Sequence, residues 1–223
     1  MTLSTGAPSA PASVEVLRFD GLTRAVHAAT ALLGFVVLAT GTVLYTPALS
    51  ASIGRRALLK DIHTLSGLAL VVPLAIGVLA GPLGRRFRHD LTDLGRWTRS
   101  DRRWLRPATR TTPAGKFNGG QKLVASLFAG LGLAQILSGS LMRWPDRFDA
   151  SWRTGATFVH DWAFLALAVL VLGHVKKALE DSVQLRSMGG HGTVPRSWAE
   201  RHRPGWLATI DGHDGDSETR SSG

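Results

Sequence analysis

The chain has 223 residues, a formal net charge of +10, a sequence pI near 11.3 and no cysteine. Without cysteine it can build no disulfide, thiolate zinc site, iron–sulfur cluster or thioether-linked haem, so any metal it holds must rest on histidine or carboxylate. Its basic residues are not gathered into one folded domain with interleaved aromatics, which argues against a nucleic-acid partner; they sit in loops beside long apolar runs, where positive charge reports membrane topology.

Residues 1–16 (MTLSTGAPSAPASVEV) carry small residues and Pro but neither a basic n-region nor an apolar h-region, so they read as a disordered cytoplasmic tail rather than a cleaved signal. Residues 17–182 read as one membrane domain. Four apolar runs follow, Ala25 to Tyr45, Ile62 to Ala80, Leu123 to Met142 and Ala156 to Val175. Each is about 20 residues, the length of helix that crosses a hydrocarbon core of about 30 Å. Pro73 is expected to kink the second. Gly34 with Gly41, and Gly132 with Gly139, are small residues of the kind found where membrane helices approach closely.

Lys and Arg are unevenly divided: 2 before the first run, 11 in 81–122 and 7 after the fourth, against 3 in each remaining loop. The positive-inside rule then puts both termini and the 81–122 loop in the cytoplasm, with the two short loops outside, for a chain that crosses the membrane four times. Within that loop, His89 to Leu105 places Leu91, Leu94, Trp97 and Trp104 among Arg and Asp, the composition of an interfacial helix or of a disordered basic loop. Residues 183–223 are polar and rich in Gly and charge, and read as a largely disordered cytoplasmic tail.

Four of the eight histidines lie in or beside the apolar runs: His27, His63, His160 and His174. An ionisable group in a span is costly and is a functional hypothesis by default, although any one of them alone reads more readily as an interfacial residue bonded to a neighbour. Jointly they form a pattern. His160 and His174 are fourteen residues apart, about 21 Å along a helix, and point within about 40° of one direction. With alternating span directions, His27 falls at the depth of His174 and His63 at the depth of His160. An inner and an outer pair of imidazoles would supply two stacked six-coordinate b-type haem sites in an all-α four-helix bundle. Zinc would want three or four ligands converging at one depth, whereas only two histidines meet at each level and Asp161 points about 100° away from His160. His89, His191, His202 and His213 lie in polar segments and read as solvated.

These stretches resemble the cytochrome b (gamma) subunits of respiratory formate dehydrogenases, relatives of the cytochrome b of nickel–iron hydrogenases. The resemblance runs over residues 17 to 180. It is carried by LRFDGLTRAVHAATALLGFVVLATG around His27, KDIHTLSGLAL around His63, GKFNGGQKL at 115–123, and FVHDWAFLALAVLVLGHVKKAL with His160 and His174. It implies that all four histidines are axial ligands of two b haems. It also implies that a molybdenum- or tungsten-dependent catalytic subunit feeds electrons through an iron–sulfur subunit to the outer haem, and that menaquinone or ubiquinone accepts them near the inner one. Asn118 and Gly120 match the positions that line the quinone pocket in that family; read from the residues alone, they could equally be the N-cap and first turn of the third helix. Ala28 departs from the family, where an aromatic often follows the first histidine. Two other readings stay open: a self-sufficient cytochrome that oxidises a small diffusible donor, and a non-redox membrane anchor with structural histidines. A histidine-based metal carrier would want charged groups along a path through the spans, and none is present mid-span.

Overall fold

A computed structural model describes residues 14–109 and 115–221, including the side chains of all of these except Thr109, Pro145 and 213–221. The expected N-terminal tail lies outside this range up to residue 13. In chain order the elements are β1 (Glu15–Leu17), α1 (Gly21–Tyr45), α2 (Pro47–Ile53), α3 (Arg56–Ala69), α4 (Val71–Leu79), α5 (Arg85–Gly95), α6 (Arg99–Trp104), α7 (Gly119–Arg143), α8 (Ala150–Leu179), α9 (Ser182–Gly189), β2 (Thr193–Pro195), α10 (Arg196–His202) and α11 (Pro204–Ser221).

Four helical stretches are long and apolar enough to cross a membrane: α1, α3 with α4, α7 and α8. Their outward faces are apolar, with Leu79 80% and Val169 71% exposed, which is stable only against lipid. The second span breaks at Leu70, whose N–H bonds back to Gly67. Pro73, three residues on, has no N–H for the Ala69 carbonyl, and its ring crowds that carbonyl, so the expected kink falls where the proline forces it.

Contacts are dense within two hairpins, α1 with α3 and α4, and α7 with α8, and sparse between them. The two hairpins thus stand side by side with a gap along their common axis. Gly34 and Gly132 face no close neighbour; a Cβ on either would meet nothing within 4 Å. Tight helix approach at these two glycines is therefore not what the chain does.

At the end of the bundle that carries both chain ends, the Arg-rich connection is helical rather than disordered. Thr98 caps α6 in a reciprocal box with Asp101, whose carboxylate also accepts from the buried Lys122 at 3.1 Å. Nearby Asp90 takes the Lys116 ammonium.

Residues 183–223, expected to be largely disordered, are folded through the described part. β2 pairs antiparallel with β1, Val16 opposite Val194, and Val194, Trp198, Ala199, Trp206 and Leu207 form a small core. Composition misleads here because so few apolar residues carry the unit and two are large tryptophans. Their partner strand, moreover, lies at the far end of the sequence. Arg18, 2% exposed, stacks over the Phe19 ring at 5.0 Å and over Trp198 at 5.1 Å. Burial, and then Arg203, bring its ionisation down to about 10, against the pull of Asp181 and Asp90. Gly192 (φ +87°) accepts from the Arg18 and Phe19 N–H groups, and a side chain there would collide with the Phe19 carbonyl. Only glycine closes this turn.

Candidate haem site between two helix hairpins

Each of the four span histidines projects from one hairpin toward the other. His27 on α1 meets His174 on α8 with ring centres 6.3 Å apart. His63 on α3 meets His160 on α8 at 6.1 Å. Two imidazoles sharing one metal in line, each with a metal–nitrogen bond of about 2 Å, hold their ring centres about 6 Å apart. Both pairs already have that spacing. The sequence pairing by depth is therefore what the structure brings together, and both pairs straddle the gap between hairpins.

The outer pair is braced in a repeated way. The Thr40 hydroxyl donates to the Val36 carbonyl at 2.7 Å and lies 3.0 Å from Nδ1 of His63. The Ser138 hydroxyl donates to the Ala134 carbonyl at 2.6 Å and lies 3.0 Å from Nδ1 of His160. With its one proton committed to the helix, each hydroxyl oxygen is an acceptor, so each Nδ1 carries the hydrogen and each Nε2 keeps its lone pair. Each hydroxyl is followed by a glycine on which the imidazole rests. A Cβ at Gly41 would stand 3.2 Å from Cε1 of His63, and one at Gly139 would stand 3.2 Å from Cε1 of His160. The two hairpins thus repeat one device, a hydroxyl and a glycine on the first helix holding a histidine on the second.

The inner pair is held differently. His27 and His174 are exposed, whereas His63 and His160 are half-buried. Phe128 meets His174 edge-on at 5.6 Å. No hydrogen bond from either inner ring to a protein group is present among the described residues.

Sequence reasoning found all four histidines but not Thr40, Ser138 or Phe128, because Ser, Thr and Phe are ordinary residues in membrane helices. The signal was a Thr-Gly in the first span repeated as a Ser-Gly in the third. Among the described residues no group of three or more His, Asp or Glu side chains could hold a metal ion, which leaves paired imidazoles as the donor set. Haem iron takes imidazole ligands, and two opposed imidazoles at each level are the donors it would need. The residues present therefore fit haem.

Asn118 and Gly120 stand at the start of α7. The Asn118 side-chain carbonyl accepts from the Gln121 N–H at 2.9 Å, and the Gln121 side chain returns a bond to the Asn118 N–H at 3.1 Å. Gly120 lies under Trp104, where a Cβ would come within 2.6 Å of the indole. Both residues thus have the structural role that a helix start requires. His89, His191 and His202 are exposed, His202 stacking on Trp198 at 4.9 Å; the side chain of His213 lies outside the described residues.

No curated protein sequence matches the chain. A family model described as prokaryotic cytochrome b561 matches residues 18–191, which take in all four spans and the four paired histidines. The chain belongs to the prokaryotic cytochrome b561 family, helical membrane proteins that bind b-type haem and transfer electrons.

Proposed function

We propose that the chain is the dihaem cytochrome b subunit of a respiratory complex, carrying electrons across the membrane to a quinone. The observation that carries this reading is the double pairing of His27 with His174 and His63 with His160, both at the spacing of two imidazoles on one metal. A b haem bound at each level supplies a reversible one-electron centre. The chain's own contribution is to ligate, orient and insulate: four imidazoles fix two levels about 21 Å apart along α8, and apolar spans keep bulk water away.

The segments before the first span, between the second and third, and after the fourth carry 20 of the 26 Lys and Arg residues, which supports their side as the cytoplasmic one. His63 and His160 are then the outer ligands. In this reading an oxidoreductase outside the membrane, of the formate dehydrogenase type with an iron–sulfur subunit and a molybdenum- or tungsten-dependent catalytic subunit, delivers electrons to the outer level. Menaquinone or ubiquinone takes them near the inner one, and uptake of its protons from the cytoplasm builds membrane potential. The resemblance of GKFNGGQK to the quinone motif supports Asn118 and Gly120 as the residues that meet the ring. The Asn118 carbonyl is committed to its cap, so its amide N–H groups are what it offers a quinone oxygen. For Gly120 to line the same pocket, the Trp104 ring must turn aside or form one of the walls.

The test is a pyridine haemochrome assay with reduced-minus-oxidised spectra on detergent-purified protein, for the wild type, His63→Ala and His174→Ala. Two b haems per chain, one lost in each variant, is the expected result. No haem under ample haem supply would overturn the reading in favour of a membrane anchor. Two haems that are reduced by a small diffusible donor, with no subunit co-purifying, would replace the complex with a self-sufficient cytochrome.

A further inference from the structure

Thr40 and Ser138 stand behind the outer pair, beside the Val37 and Gln135 carbonyls that also face the His63 and His160 rings, and have no hydroxyl counterpart at the inner pair among the described residues. Each sits on a different hairpin, each bonds Nδ1 of the histidine from its own hairpin partner at 3.0 Å, and each is followed by the glycine that seats the ring. Thr40 is 9% exposed and Ser138 4%, so water does not compete for these bonds. The inner rings have no such partner among the described residues; His174 has the edge of Phe128 instead.

An acceptor on the far nitrogen of a ligating imidazole fixes the ring and makes it a stronger donor to the metal. A stronger donor favours the more highly charged, oxidised metal and lowers the potential at which the centre takes an electron. We propose that Thr40 and Ser138 are positioning residues that depress the potential of the outer haem through His63 and His160, so that a single electron arriving there is biased to move on to the inner level. This rests on the dihaem reading above and adds to it a built-in direction. The device is symmetric at its level, with one hydroxyl behind each axial ligand, and it acts without any charged group in the span, where a carboxylate in the same place would be costly.

The experiment is a set of midpoint potentials read from optical spectra of the purified full chain poised at stepped potentials. The variants are Thr40→Val, Ser138→Ala, both together, and Thr40→Ser. The outer component is assigned as the one missing in His63→Ala. Each single substitution should move the outer midpoint upward, the double should move it further, and the inner midpoint and haem content should stay at wild-type values. Thr40→Ser, which restores a hydroxyl, should return the outer midpoint to the wild-type value. A purely structural role would instead lower haem content or broaden both components without a selective shift. An outer midpoint unmoved in Ser138→Ala, the mildest change and the one most certain to fold, overturns the proposal even if the other variants fail to hold haem. Wild-type protein with fewer than two haems would instead sink the dihaem reading, so the two failures are distinguishable.

Discussion

Lys122 of α7 and Asp101 of α6 meet at 3.1 Å, both side chains almost wholly buried, and clamp the Arg-rich connection onto the start of the third span. Burial by itself would raise the ionisation of Asp101, but the N–H and hydroxyl of Thr98 and the Lys122 ammonium outweigh it and hold the carboxyl below its ordinary 3.8. A carboxylate depressed in the folded state stabilises the fold above its unfolded value, and the contribution is lost as the pH falls through the folded value. The thermal midpoint of the wild type should therefore drop as the pH falls below 3.8. In Asp101→Asn it should start lower at neutral pH and show a shallower acid slope. Asparagine at this position keeps the Thr98 cap but takes the nearer carboxylate from the buried Lys122 ammonium, which is left with Asp93 at 3.5 Å and the Arg96 carbonyl at 2.9 Å, a loss of about 1–2 kcal/mol. Equal slopes in the two proteins would remove Asp101 from this role.

The glycines beneath the outer imidazoles make a prediction about cofactor rather than stability. At Gly139 an added Cβ already stands 3.2 Å from the His160 ring, and the branches of valine would reach further. Gly139→Val should lose the outer haem and keep the inner one, by haemochrome content and by the surviving midpoint. Gly130→Val, where a Cβ meets nothing within 4 Å, should keep both.

At the start of α7 two adjacent glycines should behave differently. A side chain at Gly119 would collide with the Asp101 backbone carbonyl, whereas one at Gly120 meets the far edge of the Trp104 ring and, at 3.4 Å, Oδ1 of Asn118. Overpacking of this kind costs about 1–3 kcal/mol, toward the upper end when backbone must move. Gly119→Ala should therefore loosen α6, seen as faster amide exchange over 99–104. Gly120→Ala should leave exchange nearly unchanged and shift Trp104 fluorescence, measured against a Trp104→Phe background. The reverse order would mean that Trp104 cannot turn aside.

Trp198 is one of two tryptophans in the terminal core, 5% exposed and packed with Val194, Trp206 and Leu207. Truncating a buried tryptophan costs roughly 3–5 kcal/mol, more than so small a unit can lose. Trp198→Ala should leave four spans and both haems in place while opening 182–212 to limited proteolysis. Haem loss in this variant would show that the terminal unit also holds the inner site together.

What could be read from the sequence, and what could not, follows from how far each feature depends on its neighbours. The spans are legible because twenty apolar residues in a row answer to the bilayer, whatever the rest of the chain does. The histidine pairs are legible because fourteen residues of helix fix both a depth and a face. Thr40 and Ser138 are invisible at that level, since their role depends on a ring supplied by another helix. The terminal unit is hidden for the same reason. Its polar, glycine-rich stretch gains a core only when Val194 comes back to Val16, 178 positions earlier. Gly34 and Gly132 show the converse: small residues in a span can mark close approach, as Gly41 and Gly139 do, or stand with no near neighbour, and composition does not distinguish the two.

The pairing of β1 with β2 fixes an order of events in biogenesis. Residues 193–195 are translated after all four spans, so the strand that ties the start of the chain to its end forms last. Until then the Arg-rich connection is the only covalent join between the two hairpins. Once Val16 and Val194 are in register, the segments that lead into the first helix and out of the fourth are tied together. The small terminal unit is thus a latch that closes the bundle after its spans are made.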